Sequence, residues 1–204
     1  ATTMKCFKMC ADCESEYRDP ANRRFHAQPN ACHKCGPQLF FEIAGGQQLR
    51  GADALEAAKD LLMKNQALAV KGLGGFRLIG NAKNLEVVKT IRELKSRKSK
   101  PLAIMFADLS AAEAYCLVGE AERSLLENQQ RPIVLLRRNQ ACALPEAIAP
   151  CLDEVGVMLP YTPLHHMLSR ACDFPLIATS ANERGYPILT DNQRALEQYG
   201  KIGV

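Results

Sequence analysis

The sequence predicts an α/β (α+β) fold, a twisted mixed sheet carrying helices, preceded by a small four-cysteine module. Two observations predict it. From Asp53 onward, short apolar runs alternate with stretches of helical periodicity, the pattern of helices packed on a sheet. Before that point five of the nine cysteines crowd the first 35 residues, where hydrophobic periodicity is almost absent.

The 204 residues suffice for one medium domain plus an appendage, and an apolar fraction of 47% is ordinary for a globular chain. No apolar run is long enough to span a membrane, so no membrane partner is expected. Residues 1–10 hold two lysines and no apolar core, unlike a secretory leader. The expected compartment is the cytoplasm. A net charge of +4 suits a phosphate-bearing ligand or RNA, and an ordinary solvated surface equally well.

Residues 1–45 form the first expected unit, a four-cysteine zinc-finger-like module. Such a segment cannot bury enough apolar surface to order itself and needs a staple. Cys10-Ala-Asp-Cys13 and Cys32-His-Lys-Cys35 are C-x-x-C pairs with eighteen residues between them. Two residues between thiolates let one knuckle present both sulfurs to one ion. Two knuckles complete a closed tetrahedral shell, so Cys10, Cys13, Cys32 and Cys35 are the expected zinc ligands, in a structural site. One pair alone would suit redox chemistry; two agreeing pairs favour the metal. Cys6 reads as a spare thiol. His26 and His33 are possible substitute ligands, with His26 expected at the surface or in packing. The remaining cysteines, Cys116, Cys142, Cys151 and Cys172, read as small core residues in a compartment where disulfides are rare.

Residues 46–204 form the second expected unit. Helices are predicted over 53–65, 81–97, 110–115, 120–128, 163–171 and 191–199. Strands are predicted over 67–71, 76–79, 101–106, 132–136, 155–159 and 175–178, in a mixed or largely parallel sheet.

Three places in this unit suit phosphate. Lys71-Gly-Leu-Gly-Gly75 follows a strand, and glycines there let backbone N–H groups approach an anion. The spacing is neither a P-loop nor a dinucleotide fingerprint, and a hairpin turn explains it as well. Lys95, Arg97, Lys98 and Lys100 close a helix stopped by Pro101. Cations suit a helix C-terminus, and on a loop they suit a triphosphate and the charge of its transition state. Thr179-Ser180-Ala181-Asn182 leaves a strand end, where open α/β sheets hold ligands; local caps give such a turn too. His165-His166 falls on the 163–171 helix, one of them expected in packing. The loop before it, Leu159-Pro160-Tyr161-Thr162, also lies within possible reach of a ligand.

Together these segments resemble a known family. Met9-Cys10-Ala-Asp-Cys13, Arg23-Arg24-Phe25-His26-Ala27-Gln28-Pro29-Asn30-Ala31-Cys32 and Cys35-Gly36-Pro37 resemble the second zinc unit of HypF-type carbamoyltransferases of nickel–iron hydrogenase maturation, as does Thr2-Thr3-Met4. Lys71-Gly-Leu-Gly-Gly-Phe76, Lys100-Pro101-Leu102-Ala103-Ile104-Met105, Leu159 to His165 and Thr179 to Asn182 resemble their YrdC-like domain. The resemblance implies that carbamate, made from carbamoyl phosphate, reacts with ATP to give carbamoyl-adenylate and pyrophosphate. The carbamoyl group then passes to a partner, HypE. It implies a Lys-x-Arg and Ser-x-Asn nucleotide signature at Lys95, Arg97, Ser180 and Asn182, with Lys95 and Arg97 catalytic. Lys71, Lys100 and Thr179 join them as nucleotide-binding candidates, and Mg²⁺ is expected with ATP. It further implies a segment of a longer protein, with the acylphosphatase domain, the first zinc unit and the transfer domain outside it and the YrdC-like domain continuing past Val204.

Two other functions compete. A threonylcarbamoyl-adenylate synthase of tRNA modification uses the same fold, but is not expected to carry the zinc module. A zinc-stapled RNA-binding or scaffold module would bind through charge alone and release RNA in moderate salt.

Overall fold

The structure is a computed structural model that describes residues 7–97, 99–182 and 185–202. Cys6, Lys98 and the Thr2–Met4 segment lie outside the described residues. The chain divides into two compact units, Ala1–Leu39 and Phe40–Val204.

In the first unit, one helix, α1 (Ala11–Arg18), starts directly after the first knuckle cysteine. Sequence reading had no helix there, because a helix this short leaves no hydrophobic period. Only Cys13 and Asn30 are buried between residues 7 and 39. The Asn30 Nδ2 donates to the Cys13 carbonyl at 2.8 Å, tying the segment before the second knuckle to the first. Gly36 is dictated by the second knuckle: a Cβ there would stand 2.7 Å from the Cys32 carbonyl oxygen.

The second unit opens with a short hairpin, β1 (Phe40–Phe41) and β2 (Leu49–Arg50), and helix α2 (Gly51–Met63). A six-stranded sheet follows, in the order β3-β4-β8-β5-β7-β6. Its strands are β3 (Leu68–Gly72), β4 (Gly75–Asn81), β5 (Ile104–Met105), β6 (Val134–Arg137), β7 (Glu154–Met158) and β8 (Leu176–Ser180). Of the five pairings only β5–β7 is parallel. The sheet is therefore mixed and mostly antiparallel, not largely parallel. The glycine segment explains part of this: Gly72 pairs with Gly75, so β3 and β4 join in a tight hairpin with no crossover helix. Gly74 supplies the left-handed corner, at φ 78°. The expected 101–106 strand shrinks to two residues, Ile104 and Met105.

Alternation sorts the sheet into two faces. Ala69, Phe76, Leu78, Ile104 and Ile177 face one way. They meet Val87, Val88 and Ile91 of α3 (Leu85–Leu94), Ala112 of α4 (Leu109–Glu113), Leu126 of α5 (Glu120–Glu127) and Ala195 of α7 (Asn192–Tyr199). Leu68, Val70 and Ile79 alternate to the other face, where α2 lies against β3, β4 and α6 (Pro163–Ala171). Each fully buried Leu or Ile contributes roughly 1.5–3 kcal/mol relative to exposure.

The scattered cysteines divide. Cys116 and Cys172 are buried and Cys142 half-buried, but Cys151 is exposed, on a turn at φ 59°. The core reading fails for Cys151, because apolar neighbours in sequence do not imply burial across a turn.

Candidate functional site

The second unit gathers its site around the end of α3. The helix runs only over 85–94, capped at its start by the Asn84 Oδ1, which accepts from the Glu86 and Val87 amides at 3.0 and 3.1 Å. The expected helix runs from 81 to about 97. The observed one ends three residues before that, ahead of Pro101, in a paired backbone turn: Ser96 N–H donates to Glu93 and Arg97 N–H to Arg92, both at 2.9 Å. Ser96 takes the left-handed position at φ 48°, where glycine is usual. Buried Arg92 braces the turn, its Nε donating to the Ala147 carbonyl at 2.6 Å and one Nη to the Arg97 carbonyl at 3.3 Å.

This turn delivers Lys95 to the end of β8. Lys95 is only 4% exposed. Its Nζ donates to the Ser180 carbonyl at 2.5 Å, the Asn182 carbonyl at 2.6 Å and the Asn182 Oδ1 at 2.7 Å. The Ser180 hydroxyl donates to the same Oδ1 at 2.6 Å, and the Asn182 Nδ2 to the Tyr186 carbonyl at 2.7 Å. All three ammonium protons are thus spent on the Ser180–Asn182 loop. Burial pulls Lys95 down to about 8, helped by the charges of Arg97 and Lys100. Arg97 is half-buried, and burial disfavours its charge as well. Its guanidinium has no hydrogen-bond or ion-pair partner among the described residues.

The other predicted residues separate. Lys100 is exposed, near enough to act on Lys95 through its charge. Lys71 is also exposed, and its Nζ donates to the Asn192 Oδ1 at 2.7 Å. Thr179 is buried and pairs with Leu78, so its side chain follows the core face rather than the loop. Beside Asn182 a cavity of about 620 Å³ opens, walled by residues 186–191 and by Arg194 and Gln198 of α7. Its size lies within the range of small-molecule sites.

Sequence reading missed one neighbour. Arg77 on β4 pairs with Ser180 in register, so both side chains leave the same face of the sheet. The signal was present as a lone cation in the apolar Phe76-Arg-Leu-Ile79 run. Arg77 Nε donates to the Tyr161 hydroxyl at 2.5 Å, and Tyr161 meets the His165 ring edge-on at 4.5 Å between centroids. His165 is the packed member of the histidine pair, with 0% exposure; His166 is exposed.

In the first unit the Sγ atoms of Cys10, Cys13, Cys32 and Cys35 all lie within 4.8 Å of one another. Cys10 and Cys32 are 3.6 Å apart, Cys32 and Cys35 3.9 Å. Tetrahedral zinc with four thiolates near 2.3 Å requires sulfurs about 3.8 Å apart, so the donor set fits that ion. Backbone amides of Cys32 and Cys10 draw Cys35 down to about 6, while burial pushes Cys13 up to about 12. Four thiolates at these separations need a cation. His26 stacks on Tyr17 at 5.0 Å and stands edge-on to Phe25 at 4.3 Å, so it packs and does not ligate. His33 is exposed and outside the cluster.

A mixed sheet with a Lys-x-Arg turn against a Ser-x-Asn loop, preceded in the chain by a cluster of four cysteines, defines an α/β domain that follows a four-cysteine finger. The comparisons agree. A family model described as telomere recombination, that of Sua5, YciO and YrdC, matches residues 60–203, and one described as HypF finger matches residues 9–42. The chain belongs to the Sua5–YciO–YrdC family, in the arrangement with a HypF finger ahead of the domain. It is 46% identical over 197 residues to the carbamoyltransferase HypF of Rhodobacter capsulatus, covering 97% of this chain and 26% of that protein. A solved structure of full-length HypF in a phosphate- and nucleotide-bound form superposes with a TM-score of 0.83 at 44% identity, covering 98% of this chain and 26% of that one. The threonylcarbamoyl-AMP synthase of Bacillus subtilis is 33% identical over 135 residues, covering 64% of this chain and 38% of that protein. The chain thus spans about a quarter of the HypF relatives. No helix among the described residues is long and apolar enough to cross a membrane.

Proposed function

We propose that this chain supplies the adenylate-forming step of a hydrogenase-maturation carbamoyltransferase. Carbamate and ATP would give carbamoyl-adenylate and pyrophosphate. A carbamate oxygen forms a bond to the α-phosphorus as the bond from that phosphorus to the bridging oxygen of pyrophosphate breaks. Carbamate enters as its anion, so no proton need be gained or lost. In the longer protein the carbamoyl group goes on to HypE. The chemistry suits the cytoplasm, where thiolates stay reduced.

The observation that carries this reading is the Lys95–Ser180–Asn182 lattice beside Arg97. Lys95 fixes the loop and Arg97, whose guanidinium has no counter-anion among the described residues, is offered to the phosphates. The Ser180 hydroxyl can turn to donate to phosphate. Catalysis by such a site is positioning together with charge stabilisation. Mg²⁺ would arrive on the ATP phosphates: among the described residues the four cysteines are the only group of three or more metal-ligating side chains. Zinc would be held by those cysteines, its chemistry being structural, since four thiolates leave no open position. The likeness to a threonylcarbamoyl-AMP synthase favours a second reading, with threonine joining bicarbonate as substrate. The finger over residues 9–42 weighs for the HypF reading.

ATP affinity measured by titration calorimetry tests the site. Lys95→Ala and Asn182→Ala are each expected to weaken binding at least tenfold in folded protein. Unchanged affinity in both would remove these residues from the site.

A further inference from the structure

The Arg77–Tyr161–His165 cluster is not used by the nucleotide lattice, and its parts are unsatisfied. Neither ring nitrogen of His165 has a hydrogen-bond partner, though the residue is fully buried. Buried polar groups are paired as a rule, so such an orphan calls for a ligand or an ordered water. Arg77 gives its Nε to Tyr161 and stacks over that ring at 5.4 Å. Among the described residues no carboxylate pairs with it, and both Nη groups are left for another acceptor. A half-buried guanidinium with a free fork suits a planar, two-oxygen anion.

Position decides which anion. Ser180 of the nucleotide loop stands opposite Arg77 in the β4–β8 register, so whatever Arg77 holds lies next to the loop. Gly72 floors the cluster. A Cβ there would meet the Tyr161 hydroxyl at 3.0 Å and the His165 Cε1 at 3.1 Å, so the glycine keeps ring and hydroxyl against the backbone of β3.

Resting on the adenylation reading above, we propose that Arg77, Tyr161 and His165 form the subsite that binds and orients carbamate, the small acid to be activated. The Arg77 fork takes the two carbamate oxygens, and the Tyr161 hydroxyl, accepting from Arg77, turns its own proton toward one of them. A ring nitrogen of His165 accepts from the carbamate NH₂ group. Burial, with Arg77 and His166 nearby, lowers His165 to about 4, so the imidazole is uncharged near neutrality and keeps one acceptor nitrogen. An acid with a methyl group in place of the NH₂ group, such as acetate, leaves that nitrogen unpaired, which is how this subsite tells carbamate from an acid without a donor there.

The test is a titration of the chain, saturated with a non-hydrolysable ATP analogue, with ammonium carbamate, following the ring signals of His165 by NMR. The expected result is a saturable shift that acetate, which has no donor in that place, reproduces at least tenfold more weakly. Arg77→Gln and Tyr161→Phe should weaken it at least tenfold while the analogue binds within twofold of wild type. The tyrosine variant, a single-atom change, guards against misfolding in the first. Unmoved His165 signals, equal response to acetate, or variants that bind carbamate normally would overturn the subsite and leave the nucleotide reading standing. Failure of the wild type to bind the analogue would overturn the adenylation reading and the subsite with it.

Discussion

The Lys95 Nζ lies 2.6 Å from the Asn182 carbonyl oxygen and 2.7 Å from the Asn182 Oδ1. A cation expected to grip phosphate instead grips the loop that would face phosphate. On this geometry Lys95 would act as a positioning residue, and Arg97, whose guanidinium has no partner among the described residues, as the cation offered to phosphate.

This arrangement predicts a pH dependence. Lys95 sits at about 8 in the folded chain, below its ordinary 10.5. Above the folded value the amine keeps two N–H donors for three acceptors, so the loop loosens. ATP affinity should fall as pH rises through 8, and binding near pH 8 should take up a proton. The stability sign is opposite. The unfolded chain binds more protons between the folded and unfolded values, so this group's contribution to stability rises with pH across that window. Calorimetry in buffers of different ionisation enthalpy reads the proton uptake. Its absence in wild type, or its persistence in Lys95→Met, would contradict the assignment.

Ser96 should resist β-branched replacement. Its left-handed backbone ends α3 and aims Arg97. Ser96→Val is expected to cost about 1–2 kcal/mol of folding stability and to weaken ATP binding, while Ser96→Gly keeps both. Urea unfolding of the two variants compares them directly.

Gly80 is a packing constraint. A Cβ there would stand 2.5 Å from the Val87 Cγ1 and 3.0 Å from the Ile91 Cδ1, both in α3. Gly80→Ala should destabilise by about 1–3 kcal/mol through overpacking. Because Lys95 directly follows α3 as its C-cap, ATP affinity should drop with it.

The finger should hold one zinc per chain. With only Cys13 and Asn30 buried between residues 7 and 39, metal binding must supply the ordering, on the order of 10 kcal/mol in isolated fingers. Cys13→Ser or chelation should lose the metal and the order of this unit together. Elemental analysis of reduced protein, with hydrogen exchange over residues 7–39, measures both.

Much of this was legible in the residues. The paired C-x-x-C spacing carried the cluster because four ligands repeat one local geometry. The alternation of short apolar runs with helical periods carried the sheet and its helices. What failed depended on contacts distant in sequence. Nothing local in Glu93 to Arg97 announces that the helix turns at Ser96 before Pro101 is reached. Nothing local says that Lys95 faces inward to carbonyls 85 and 87 residues away. Arg77 was hidden because its neighbours are distant in sequence: Ser180 meets it through strand register and Tyr161 through a hydrogen bond 84 residues away. Thr179 looked like part of the loop, yet its parity with Ile177 turns it into the core.

The most direct test of the central claim is pyrophosphate release from ATP, comparing ammonium carbamate with threonine plus bicarbonate. The account predicts release with carbamate that threonine does not enhance, abolished in Asn182→Ala. Release that requires threonine, or none with carbamate from protein that binds ATP, would contradict it.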